Sequence, residues 1–146
     1  MNLDDAEVFV PWSNLTLRKY DPVYADLTYY SFPKEQWIAL LDALHPTLIA
    51  SIGEWKENIS DCDNFSQHAY YFVSKSFINA GYPCQGAFMV VWSRSHAYNA
   101  FVDTEGKIWI YEPQNNKIIG EIEGTLDDVY NPDKVWFPGE VKLLTK

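Results

Sequence analysis

The strongest constraint on the fold is a change in the spacing of apolar residues around the segment Gly81–Pro83. Before it, apolar side chains recur at intervals of three and four residues from Cys62 to Ala80, which is the spacing of one helix face. After it, short apolar runs and the alternating segment His96–Asp103 are typical of strands. Glycine followed closely by proline commonly ends a helix. The sequence therefore predicts a helix that is followed by a sheet.

A second helix is predicted earlier in the chain. Ser31 stands where a capping residue is expected, Pro33 falls in the first turn, and apolar residues follow at helical spacing as far as Leu48. Pro46 is expected to end or kink this helix. The first thirty residues show no sustained period and are interpreted as loops with at most one short strand. The strand candidates are Ala87–Trp92, His96–Asp103, Lys107–Tyr111, Ile118–Ile122 and Val135–Phe137.

Helices followed by consecutive antiparallel strands predict an α+β domain, with the N-terminal helices packed on an antiparallel sheet. The 146 residues have the size of one domain, so residues 1–146 are interpreted as a single unit. The net charge of −9 argues against nucleic acid and against a polybasic membrane anchor as partners. The acidic N-terminus does not resemble a secretory signal, so we expect a cytoplasmic protein or one released without a signal peptide. Two cysteines, Cys62 and Cys84, are too few for a disulfide scaffold, and reduced thiols are expected.

Cys62 is predicted in the first turn of its helix, where free N–H groups and the helix dipole stabilise a thiolate. The alternative is a small, buried and inert apolar residue.

His96 and Glu112 are predicted to meet across a hairpin. A turn at Thr104–Gly106, with Gly106 at positive φ, pairs Tyr98 with Glu112. Glu112 then shares a face with His96 as its diagonal neighbour, at roughly 7–8 Å between backbones. In that register a carboxylate holds the imidazole, and the second ring nitrogen is left to face a thiolate. The alternative is a half-buried histidine and a charged residue at a strand end, without catalytic roles.

Four segments in this order resemble the transglutaminase-like branch of the papain-like cysteine peptidases. Within that branch they are similar to the protease domain of the family related to Marasmius oreades agglutinin, which includes short bacterial and phage proteins. The segments are Asp61–Phe65 (DCDNF), Gly81–Pro83 (GYP), His96–Asn99 (HAYN) and Trp109–Gln114 (WIYEPQ). The resemblance covers a catalytic core of about residues 55–119. It implies a papain-like or transglutaminase-like core.

The resemblance also implies roles for individual residues. Cys62 is the implied nucleophile, His96 the general base and Glu112 the residue that orients the imidazole. Trp55 and Gln114 are candidate oxyanion donors, although core packing is the expected role of Trp55.

Further candidates surround this set. Asn99 is a candidate supporting residue, although strand parity argues against it as the group that orients His96. Asp61 and Asp63 match acidic residues beside the cysteine that are implicated in calcium binding in the family, and Asn64 stands where many relatives carry a third acid. The resemblance therefore implies calcium or manganese as a cofactor. Helix capping without a metal is the alternative for these residues.

Together these features predict a cysteine-dependent hydrolase, a peptidase or amidase, that acts on a peptide or protein substrate, and the resemblance implies calcium dependence. A transglutaminase-type acyl transferase uses the same residues with an amine in place of water. A non-catalytic or calcium-binding interaction module on the same fold is the remaining alternative.

Overall fold

A computed structural model describes residues 7–9, 22–23, 28–122, 129–130, 134–136 and 142–144. The helices and strands follow one another in this order: β1 (Glu7–Phe9), β2 (Pro22–Val23), β3 (Thr28–Tyr30), α1 (Lys34–Ile52), α2 (Cys62–Asn79), β4 (Phe88–Trp92), β5 (Ala97–Val102), β6 (Ile108–Glu112), β7 (Lys117–Glu121), β8 (Lys134–Trp136) and β9 (Lys142–Leu144). The predicted order of helices followed by antiparallel strands is confirmed, and the chain is an α+β protein. In the ranges described, no helix is long and apolar enough to cross a membrane.

Helix α2 forms where the sequence predicts it. Its buried residues are Phe65, Ser66, Ala69, Val73 and Phe77, which lie on one face at helical spacing. Gly81 follows the helix with φ +74°, a left-handed conformation that glycine adopts at little cost. The helix therefore ends just before the glycine where the sequence predicted the change from helix to sheet.

Strands β4 to β7 form consecutive antiparallel pairs in the main sheet. Within the described residues this sheet has the order β2-β8-β4-β5-β6-β7, and a second sheet has the order β1-β9-β3. Strands β5 and β6 pair Phe101 with Trp109 and Val102 with Ile108, and the Asp103 N–H donates to the Lys107 carbonyl at 2.9 Å. Gly106 has φ +81° in the connecting turn. The predicted hairpin register is confirmed.

The main sheet is buried on both faces, which explains why every residue of β5 is buried. One face packs against the helices through a cluster rich in aromatic side chains: Tyr30, Phe32, Trp37, Leu41, Leu48, Phe65, Ala69, Val73, Phe77, Phe88, Phe101 and Tyr111. The other face carries a second cluster: Tyr29, Ala87, Met89, Val91, Tyr98, Ala100, Val102, Ile108, Ile110 and Ile122. Because strand residues alternate between faces, even-numbered β5 residues such as Tyr98 lie on the face opposite α1 and α2.

Two expectations for the N-terminal half are wrong, and the structure excludes one of the two effects expected of Pro46. The first thirty residues contain three short strands, two of which pair with β9 in the second sheet. Pro33 rather than Ser31 is the N-cap of α1; Ser31 is fully buried, and its hydroxyl donates to the Val102 carbonyl at 2.6 Å. Pro46 does not end α1, which continues to Ile52 because Leu48 is buried beyond the proline.

Candidate active site

His96 and Glu112 form a hydrogen-bonded pair on the sheet face opposite the helices. Nε2 of His96 lies 2.5 Å from Oε1 of Glu112, and the two side chains are 14% and 8% exposed. The contact arises because the β5–β6 register brings Glu112 opposite Tyr98, two residues from His96. A carboxylate only accepts hydrogen bonds, so Nε2 donates and Nδ1 is left as the basic nitrogen. No hydrogen bond engages Nδ1 within the described part of the chain.

Glu112 has further donors besides His96. The hydroxyl of Tyr130 donates to Oε1 at 3.0 Å, and the main-chain N–H of Gln114 is directed to Oε2 at 3.4 Å. Gln114 thus supports Glu112 through its backbone. Hydrogen bonds to a carboxylate are stronger than those between neutral groups, so these contacts restrict the rotation of the nearly buried Glu112 side chain at the end of β6.

Cys62 is the first residue of α2, and the path of this helix carries it toward the His96 end of β5. The Asn99 side-chain amide donates to the Ser66 carbonyl, one helical turn beyond Cys62, at 2.9 Å. At the other end of α2, the ring of Phe77 packs near Gly86, beside the start of β4. The helix and β5 therefore run in the same direction. Both cysteines are free thiols, and Cys62 is partly exposed.

The thiol of Cys62 and the imidazole of His96 are not hydrogen-bonded to each other in the described residues. Catalytic hydrogen bonds are often long in enzymes without substrate. A shared site for Cys62 and His96 stays a prediction.

Asn99 connects the helix layer to the sheet. It is fully buried, and its amide nitrogen donates both to Ser66 O and to Met89 O, at 2.9 and 3.1 Å. Both N–H groups are thus engaged, so Asn99 has no donor left for a substrate oxyanion. Its role is to hold the first turn of α2 against β4 and β5.

Asp61, Asp63 and Asn64 surround the start of α2. Asp61 and Asn64 form a capping box, in which the Asp61 N–H donates to Asn64 Oδ1 at 3.2 Å. Asp61 Oδ2 accepts from the Asn58 N–H at 2.8 Å, while Oδ1 is buried without a donor among the described residues. A hydrogen bond shared by the two carboxyl groups lowers the pKa of Asp61, and the same hydrogen bond, with burial and the charge of Asp61, raises the pKa of Asp63.

Helix capping is thus present at this end of α2. In the described ranges no group of three His, Cys, Asp or Glu side chains is arranged to hold a metal ion. A cation there requires oxygens from other sources, since calcium takes six to eight.

Trp55 does not pack in the core, which corrects the expected role. Its side chain is 53% exposed on the connection between α1 and α2. The polar connection between the helices contains a short antiparallel bridge between Lys56 and Ser60. The indole of Trp55 lies outside both apolar clusters.

Sequence reasoning missed Tyr130 as a neighbour of the histidine and gave Tyr98, on the same strand face, no role beside it. The ring of Tyr98 stacks on His96 at 6.0 Å, and the ring of Tyr130 meets it edge-on at 5.6 Å. Because side chains alternate along a strand, Tyr98 lies on the same face of the sheet as His96. Tyr130 lies in a polar segment without periodicity, 18 residues after Glu112, and no local signal indicates its contact.

Comparison with known proteins gives a distant likeness in fold. No family model matches the chain, and no curated protein matches it. Among solved structures, the chain is similar to Polyporus squamosus lectin bound to the human-type influenza-binding epitope Neu5Aca2-6Galb1-4GlcNAc, with 19% identity, a TM-score of 0.54, and coverage of 85% of this chain and 42% of the lectin. It is also similar to a structure described as the PSL1a-E64 complex, with 19% identity, a TM-score of 0.47, and coverage of 83% and 44%. This chain spans less than half the length of either neighbour, and it shares a distant, lectin-like fold with the Polyporus squamosus protein.

Proposed function

We propose that this protein is a cysteine-dependent hydrolase, a peptidase or amidase, in which Cys62, His96 and Glu112 act together. The observation that carries the proposal is the nearly buried hydrogen bond from His96 Nε2 to Glu112 Oε1. It holds one ring nitrogen in place and leaves Nδ1 as a base, which is the arrangement that a thiol nucleophile requires.

The position of Cys62 supports the same function. Cys62 is the first residue of α2 and is partly exposed, so a substrate can reach its sulfur. The contact between Asn99 and Ser66 holds the N-terminal part of α2 against β5, the strand that follows His96. The four sequence segments that resemble papain-like peptidases contain all three residues, and a papain-like core is part of the proposal.

The proposed reaction uses only these side chains and water. His96 Nδ1 accepts the proton of the Cys62 thiol, and the sulfur attacks the carbonyl carbon of an amide. The imidazolium then gives its proton to the leaving amine as the C–N bond breaks, and a thioester remains. His96 takes a proton from water, the resulting hydroxide attacks the thioester, and the thiolate leaves as the carboxylic acid product forms. Glu112 stabilises the imidazolium in both halves of the reaction.

We further propose that Asp61 and Asp63 hold a calcium ion, with manganese as the alternative. A buried carboxylate oxygen without a donor beside a second carboxyl group is the observation that favours a cation. Asn64, main-chain carbonyls and water would complete the coordination. When bound, the ion would offset the repulsion between the two carboxylates and a thiolate at Cys62.

The cation proposal is tested by calorimetric titration of the chelator-treated protein with Ca²⁺ and Mn²⁺. Binding heat that disappears in Asp63→Asn is the expected result. No heat and no change in melting temperature at millimolar concentrations of either ion would leave helix capping as the whole role of these residues.

A non-catalytic binding module is the second candidate, because a structural neighbour with a distantly similar fold is a lectin. An acyl transferase is a variant of the proposed hydrolase, since an amine that attacks the thioester in place of water gives acyl transfer rather than hydrolysis.

The deciding experiment compares Cys62→Ala with the matched control Cys84→Ala. We expect the parent and Cys84→Ala to cleave peptides from a fluorogenic library, and Cys62→Ala to retain its fold without activity. Iodoacetamide should alkylate Cys62 faster than Cys84. Equal, slow labelling of both thiols, together with binding to a glycan array that Cys62→Ala retains, would replace the hydrolase with the binding module.

A further inference from the structure

Tyr130 contacts both members of the His96–Glu112 pair. Its hydroxyl donates to Glu112 Oε1 at 3.0 Å, the same oxygen that accepts from His96 Nε2. Its ring stands edge-on to the imidazole at 5.6 Å, with an interplanar angle of 85°. One residue thus meets the carboxylate through its hydroxyl and the imidazole through its ring.

Tyr98 holds Tyr130 in this position. The Tyr98 hydroxyl donates to the main-chain carbonyl of Tyr130 at 2.6 Å, and the two rings lie 5.2 Å apart. Tyr98 also stacks on His96 with an interplanar angle of 26°. The imidazole therefore has one aromatic ring stacked on it and a second ring perpendicular to it. Tyr98 belongs to the buried cluster on this side of the sheet, so the arrangement rests on the core.

We propose that Tyr130 is a positioning residue for the His96–Glu112 pair. The inference rests on the proposed function and extends it to a residue outside the Cys–His–Glu set. Its hydroxyl fixes Oε1 at the point where the imidazole donates, and its ring covers the imidazole edge. Excluding water from around a hydrogen bond lowers the local dielectric constant, and the hydrogen bond becomes stronger as a result. A second donor on Oε1 restricts the Glu112 carboxylate to one rotamer. Tyr130 acts through Glu112 and the imidazole of His96 rather than on the substrate.

The test is Tyr130→Phe, which removes the hydroxyl and keeps the ring. We expect kcat to fall about tenfold, equivalent to about 1.4 kcal/mol of transition-state stabilisation, while KM stays within about twofold of the parent. Tyr130→Ala, which also exposes the imidazole edge, should lose more. Tyr71→Phe is the matched control, because the same change on the outer face of α2, where Tyr71 is 54% exposed, should leave both constants unchanged. A KM increase without a kcat decrease would make Tyr130 a substrate-binding residue and overturn the inference.

A second measurement separates failure of this inference from failure of the proposed function. The N–H proton between His96 and Glu112 is observable by proton NMR in the resting protein, without any substrate. In Tyr130→Phe we expect its resonance to move and its exchange with water to accelerate, while Tyr71→Phe matches the parent. An unchanged resonance and exchange rate in Tyr130→Phe would refute the positioning role. Absence of Cys62-dependent turnover in the parent would refute the hydrolase, and the NMR result would still decide the role of Tyr130.

Discussion

Replacing Asn99 by aspartate should destabilise the protein severely, although the two side chains have the same shape. The amide nitrogen of Asn99 donates to Ser66 O at 2.9 Å and to Met89 O at 3.1 Å, and the side chain is fully buried. In Asn99→Asp each contact becomes two oxygens facing one another. A buried acceptor that loses its donor costs about 1–3 kcal/mol, so two cost about 2–6 kcal/mol. The introduced carboxyl group must in addition be buried as a charge or kept protonated. We therefore expect the free energy of unfolding to fall by at least about 4 kcal/mol.

The measurement is equilibrium unfolding in urea at neutral pH, followed by tryptophan fluorescence. Asn115→Asp is the matched control, because Asn115 is exposed in the β6–β7 turn and the same change should stay within about 0.5 kcal/mol. Asn99→Ala removes the donors without adding a carboxylate and should cost less than Asn99→Asp. A loss under about 1 kcal/mol in Asn99→Asp, or a larger loss in Asn99→Ala, would show that these hydrogen bonds do not hold α2 on the sheet.

Three further predictions concern the core and the candidate site. Gly86→Ala would place a Cβ 2.6 Å from the buried ring of Phe77, so we expect a loss of about 1–3 kcal/mol in urea unfolding; an unchanged midpoint would contradict this packing. Burial, with the charges of Asp42 and Glu112, raises the pKa of Tyr111. In the unfolded chain Tyr111 ionises at a lower pH than in the folded protein. The stability that Tyr111 contributes is therefore complete below about pH 10 and is lost as the pH rises further. In Tyr111→Phe the free energy of unfolding should fall less steeply above that pH. Glu112→Gln should keep the fold but lower peptide hydrolysis by orders of magnitude, because a neutral amide does not stabilise the imidazolium; parental activity would exclude Glu112 from the mechanism.

The elements that the sequence predicted correctly are those with local causes. Helix α2 was recognisable because its apolar stripe repeats within single turns and because glycine follows its end. The β5–β6 register was predictable because a three-residue turn with Gly106 at positive φ allows few pairings. That register alone brings His96 to Glu112, so the contact between them followed from the hairpin.

The errors arose where distant segments decide the role of a residue. Ser31 has the chemistry of a helix cap, yet the sheet offers it a buried acceptor at Val102, 71 residues away. Trp55 has the size of a core residue, yet the connection it belongs to lies outside both apolar clusters.

The sequence by itself therefore determined the α+β class, the extent of α2 and the hairpin that pairs His96 with Glu112, because periodicity and turn geometry act over a few residues. Only the tertiary structure decided that Asn99 ties α2 to the sheet and that the Tyr130 hydroxyl donates to Glu112. These contacts join residues 33 and 18 positions apart, and they form only when both faces of the sheet are covered. Their physical basis is the pairing of buried polar groups. This pairing depends on which donors and acceptors the folded chain brings together, and no local sequence pattern predicts it.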